Sequence, residues 1–113
     1  MLLVKIYDPA RIEIQSWPLE VKKDLGSILL KLQKNEKVGL PDTSPIKSVS
    51  AGVFEIRIKD VSGIFRVFYL IKMEIGILVF HSFVKKTQKT PLHEIQTAKE
   101  RLRRFKKELE NEN

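Results

Sequence analysis

The chain has 113 residues, 42% hydrophobic and 31% charged, a balance that predicts one folded domain spanning 1–113 and excludes a disordered chain. It has no cysteine, which excludes disulfides, thiol catalysis and cysteine-ligated zinc. The formal net charge is +7 and lopsided: residues 1–56 carry eight Lys/Arg against seven Asp/Glu, and residues 57–113 thirteen against seven.

A cationic excess confined to one half points to a polyanionic partner: nucleic acid, an acidic protein or an anionic surface. Solubility alone is the alternative explanation. No apolar run reaches the length of a membrane span. The opening Met-Leu-Leu-Val-Lys lacks the charged start and long apolar core of a signal peptide. The expected location is therefore the cytoplasm, with no membrane partner.

In chain order, Leu2 to Tyr7 reads as a first strand ending before Asp8-Pro9. Ala10 to Ser16 is open between a strand and a short helical turn. Pro18 opens a helix whose apolar stripe is Val21, Leu25, Ile28 and Leu32, with Leu29 beside it. Gly26 inside it reflects either close packing or simple tolerance. Leu40 to Ser50, with Pro41 and Pro45, reads as a loop.

Three strands follow: Val53 to Lys59, Ile64 to Ile71 and Ile75 to Val84. Their short connections predict antiparallel hairpins. The last strand runs into Lys85, Lys86 and Lys89, then Thr90-Pro91, placed as N-cap and first residue of a helix reaching about Leu109. Ammonium groups beside a helix start both favour anions; a solvated lysine loop is the bland alternative. The order of elements predicts an α+β fold, an antiparallel sheet with helices on one face.

Register sharpens this. A turn centred between Val61 and Ser62 sets Arg57 opposite Arg66. Like charges directly opposed are destabilising, so either a bound anion lies between them or a carboxylate such as Glu55 or Asp60 intervenes. A two-residue turn at Met73-Glu74 sets Arg66 opposite His81. Arg57, Arg66, Phe68, His81, Phe83 and Lys85 then share one face. Phe54, Ile56, Ile58, Phe65, Val67, Tyr69, Leu78, Phe80 and Val84 share the other, as a core. Cations interleaved with rings suit single-stranded nucleic acid, the cations holding phosphates and the rings stacking on bases. Packing for Phe68 and Phe83, and a hydrogen-bonded structural role for His81, are the competing readings. His93, in the first turn of the last helix, is a surface residue by default.

The segments Phe54-Glu55-Ile56-Arg57, Gly63-Ile64-Phe65-Arg66-Val67-Phe68-Tyr69 and His81-Ser82-Phe83-Val84-Lys85-Lys86-Thr87-Gln88-Lys89-Thr90-Pro91 resemble the phage-derived, HigB-like branch of the RelE/HigB toxin superfamily. The segment Glu94 to Arg101 continues the resemblance, and the lysine run is its most specific part. The resemblance implies a RelE-like α+β fold and the toxin half of a type II toxin–antitoxin pair. It implies an endoribonuclease acting on mRNA within the ribosome, and a helix-turn-helix antitoxin as partner. The family's cations fall here on Arg57, Arg66, Lys85, Lys86 and Lys89. The histidine–aspartate–tyrosine set of some relatives has no clear match.

The residues fit that chemistry on their own terms. RNA brings its own nucleophile, the 2′-hydroxyl, so no metal or other cofactor is required. Arginines and lysines stabilise charge developing on phosphorus, and a lysine held among other cations is an acid–base candidate. The expected assignment is Arg57, Arg66 and Lys85 as catalytic, with Lys86, Lys89, His81 and Phe83 binding RNA. The alternatives are a non-catalytic nucleic-acid-binding module and a basic surface that docks an acidic antitoxin segment.

Overall fold

The computed structural model describes residues 1–39, 41–85 and 89–112. These form strands β1 (Val4–Ile6), β2 (Thr43–Pro45), β3 (Val53–Asp60), β4 (Gly63–Lys72) and β5 (Gly76–Lys85). The helices are α1 (Asp8–Gln15), α2 (Leu19–Gln33) and α3 (Leu92–Asn111). The sheet order is β1-β5-β4-β3-β2. The class is α+β, as the order of elements predicts. Two details differ. β1 joins β5 in parallel, so the sheet is mixed. Helices also cover both faces. α2 buries Val21, Leu25, Ile28, Leu29 and Leu32 against Ile56, Ile58, Phe65, Val67 and Val79. α3 buries Ile95, Ala98, Leu102, Phe105 and Leu109 against Phe68, Leu78, Phe80 and Phe83.

The open segment after Asp8-Pro9 is α1, with the proline in its first turn and Ala10 fully buried. α2 has the predicted stripe and stops at Asn35, whose φ of +62° is left-handed and cannot continue a helix. The segment read as a loop contains β2, which pairs Thr43, Ser44 and Pro45 with Ile56, Glu55 and Phe54. A three-residue edge strand of hydroxyls and a proline carries no hydrophobic alternation. Proline is tolerated there because an edge strand has an unused side.

The β3–β4 register is as expected, with Arg57 opposite Arg66. The β4–β5 register is not. The connection takes three residues, since Lys72 pairs with Gly76, and a bulge then inserts Phe80 between the pairs Tyr69–Val79 and Phe68–His81. Arg66 therefore faces Phe83, and His81 faces Phe68. Two single-residue slips make one full pleat period, so Arg66, Phe68, His81, Phe83 and Lys85 keep a common face. Before the bulge only one slip has accumulated, and Leu78 crosses to the α3 side with Phe80 while Ile77 and Val79 take the α2 side. Phe54 and Val84, expected in the core, are 37% and 38% exposed.

Candidate nucleic-acid interface

The alternation of β3 places Glu55 and Arg57 on one face, and the hairpin brings Arg66 opposite Arg57. Glu55 is the group between the two guanidiniums. Its Oε2 accepts a hydrogen bond from Arg66 Nη1 at 2.9 Å, and its Oε1 lies 3.8 Å from Arg57 Nε. Side-chain exposure is 5% for Glu55, 2% for Arg66 and 27% for Arg57. A buried carboxylate thus answers the like-charge opposition, and of the two arginines Arg57 is the one that reaches solvent.

Arg66 Nη1 also donates to Thr90 Oγ1 at 3.2 Å. This contact ties the sheet to the approach of α3. Thr90 is not the N-cap: Pro91 holds that place, and among the described residues no side chain caps the helix. Lys85 follows Phe83 on the face of Arg66, pairs with Ile64, and donates from Nζ to the carbonyl of Lys89. Lys89 is exposed. Lys86, with Thr87 and Gln88, lies outside the described residues. The register therefore puts Arg57, Arg66 and Lys85 on one face towards the same end of the sheet, with Lys89 bonded to Lys85.

His81 and Phe83 lie beneath this surface. Phe83 is 6% exposed and packs edge-on against Phe68 with ring centroids 5.5 Å apart, leaving no open ring face for a base. His81 is 2% exposed and held at both nitrogens. Arg101 Nη1 lies 3.0 Å from Nδ1, and Glu94 Oε1 lies 2.8 Å from Nε2. A guanidinium can only donate, so Nδ1 accepts and the Nε2 proton points to Glu94. Burial holds the imidazole below its ordinary pKa of 6.5. The Glu94 hydrogen bond opposes that shift, and the charge of Arg101 adds to it. His93 is exposed, with its Nε2 3.5 Å from Glu94 Oε2.

Glu94 and Arg101 were not singled out by sequence reasoning, although their spacing of seven puts both on one side of α3, two turns apart. Together with Pro9, Ile12, Glu13 and His81 they line a cleft of about 410 Å³ between α1 and α3. Among the described residues, no three His, Cys, Asp or Glu side chains are placed to hold a metal ion. No helix among them is long and apolar enough to cross a membrane.

Comparison with known proteins adds to this geometry. No curated protein sequence matches the chain. Among solved structures, a mutant of the Escherichia coli toxin RelE in the free state superposes with a TM-score of 0.51 at 17% identity, covering 91% of this chain and 96% of that one. The isolated E. coli RelE toxin gives 0.50 at 16% identity, covering 93% and 99%. At that identity the likeness establishes a shared fold. The family model described as "Phage derived protein Gp49-like (DUF891)" matches residues 12–103, which include the arginine pair and the start of α3. The chain belongs to the Gp49-like family of phage-derived proteins, a RelE/HigB-type toxin family.

Proposed function

We propose that this chain is the toxin of a type II toxin–antitoxin pair and an endoribonuclease that cuts mRNA on the ribosome. Its neutralising partner would be a helix-turn-helix antitoxin. What supports the reading is a RelE-type sheet with Arg57, Arg66 and Lys85 on one face towards the same end, Lys89 bonded to Lys85, and the Glu55–Arg66–Thr90 chain beside them.

In this reading the RNA supplies the attacking 2′-oxygen. Its proton leaves as the oxygen bonds to phosphorus, the phosphorane gathers negative charge, and the 5′-oxygen departs with a proton. The exposed part of Arg57 and the Lys85 and Lys89 ammoniums hold the phosphate and offset that charge. Arg66 is too buried to contact RNA as the chain stands. It acts through Thr90, as a positioning residue that keeps the lysine segment against Arg57. His81 and Phe83 likewise support the surface from inside rather than stacking on bases.

The test is cleavage of ribosome-bound mRNA by purified protein, with mapped 5′ ends. A 2′-oxygen attack leaves a 2′,3′-cyclic phosphate and a 5′-hydroxyl. Arg57→Ala and Lys85→Ala should each lower cleavage by roughly 100-fold, the loss of one charge-stabilising donor, while keeping the wild-type circular dichroism. Full cleavage by both variants would sink the assignment. Salt-dependent RNA binding without scission would make the protein a binding module instead.

A further inference from the structure

The network under the start of α3 has a geometry that the proposed reaction does not itself use. Arg101 and Glu94 belong to one helix, and His81 to the sheet beneath. The imidazole is the one group joining all three, receiving from Arg101 at 3.0 Å and giving to Glu94 at 2.8 Å. Glu94 sits one helical turn after Thr90, the residue that Arg66 holds at 3.2 Å. The start of α3 is thus pinned to the sheet at two points, the residue before its N-cap, Thr90, by Arg66, and Glu94 in its first turn by His81. Among the described residues no side chain caps the helix, so these two contacts are what hold its start against the sheet.

We infer that Glu94, His81 and Arg101 form a positioning relay for RNA cleavage, setting the start of α3 and with it Lys89 and Thr90 against Arg57, and that the relay holds only while the imidazole is neutral. This deepens the ribonuclease reading and rests on it for its effect on rate. A proton added at Nδ1 meets the Arg101 guanidinium head-on. The contact that was a hydrogen bond then becomes a repulsion between cations. The groups facing the ring are Arg101 and Glu94 from α3, Glu13 from α1, and the rings of Phe68 and Phe83 from the sheet. Glu13 is itself held by Trp17 Nε1 at 3.0 Å. Glu94, also near His93, remains the single carboxylate bonded to His81. Glu94 keeps its bond to Nε2, which a charged ring only strengthens, so acidification breaks the Arg101 arm of the relay and turns that guanidinium away from the ring.

The experiment follows cleavage across pH 5 to 8 in wild type, Glu94→Ala, Glu94→Gln and His81→Gln. Displacement of the lysine segment by about 1 Å is worth up to 100-fold in rate. Glu94→Ala should therefore lose about 10- to 100-fold in kcat with KM little changed, and Glu94→Gln, which still accepts from Nε2, should recover most of it. His81→Gln reaches Glu94 with its amide but cannot titrate. Its rate falls below wild type, and its profile loses the acid limb that wild type shows. A Glu94→Ala enzyme at full rate, or an acid limb that survives in His81→Gln, overturns the relay. The relay is also read without RNA. Imidazole nitrogen shifts should report the Nε2–H tautomer at neutral pH, and amide exchange at Arg101 and Leu102 should quicken as His81 protonates. The opposite tautomer, or unchanged exchange, overturns it too. A wild-type protein that passes both spectroscopic tests yet cuts no mRNA at any pH refutes the ribonuclease reading and the relay's bearing on rate, while the structural contact stands.

Discussion

Glu55 is 4% exposed, and two guanidiniums face its carboxylate. Removing one member of such a buried ionic set costs about 3–5 kcal/mol, because the remaining charge loses its compensation in a poorly solvated place. Glu55→Ala should lower the unfolding free energy obtained from urea titration by that amount, far more than a surface substitution would. His81 contributes a pH dependence of definite sign. Its folded pKa lies below the ordinary 6.5, so as pH falls through about 6.5 the unfolded chain takes up a proton that the folded protein refuses. Stability should decline from there downward, until the folded imidazole titrates as well. His81→Gln should remove that part of the slope in thermal melts recorded against pH. The arginine opposition was visible in the hairpin arithmetic, and Glu55 was one of its candidate answers, beside Asp60 and a bound anion. Which of them applied depended on burial, which no pairing rule supplies.

Among the elements, two glycines separate local freedom from tertiary demand. Gly26 lies on the exposed side of α2, and a Cβ built there meets nothing within 4 Å. The open choice between close packing and tolerance is resolved as tolerance. Gly26→Ala should raise stability by up to about 1 kcal/mol, through helix propensity alone. Gly76 opens β5 with φ at +139°, and a Cβ there would overlap the carbonyl of Leu3. Gly76→Ala should cost more than about 1 kcal/mol and loosen β1 from β5, seen as faster amide exchange at Ile77, which donates to Leu3. The other side of β5, where it pairs with β4, explains the missed register. A bulge at Phe80 leaves no mark in a run of uniformly apolar residues, whereas the alternating pattern of β3 marked its own pairing.

At the scale of the molecule, the positive excess of residues 57–113 is distributed by the fold rather than spread evenly. Part reaches the β5 exit as Lys85 and Lys89, and part lies along α3 as Arg103, Arg104, Lys106 and Lys107. Glu100 neutralises two of the α3 cations. Its carboxylate is bonded by Arg103 at 2.5 Å and Arg104 at 2.9 Å, which lowers its pKa to about 2. Glu100→Gln should leave the thermal midpoint unchanged, since these are exposed pairs. It should tighten RNA binding and steepen its salt dependence, because two more guanidiniums become available to phosphates. A filter-binding titration at several salt concentrations reads this directly.

What the linear chain settled is what local physics can settle. Periodicity marked α2, α3 and the three long strands. The tight turn at Val61-Ser62 set Arg57 against Arg66, and the lysine run with its family resemblance named the region to examine. What required the folded chain was everything that depends on two distant segments meeting. β2 has no pattern of its own and exists because β3 offers it an edge. α2 and α3 take opposite faces because each strand of the central sheet has an apolar side to either hand. His81 meets Glu94 and Arg101, and Arg66 meets Thr90, only because α3 folds back across β5. Side-chain burial and hydrogen bonding are properties of those meetings, and they made Arg66, His81 and Phe83 internal supports beneath a surface that Arg57, Lys85 and Lys89 present.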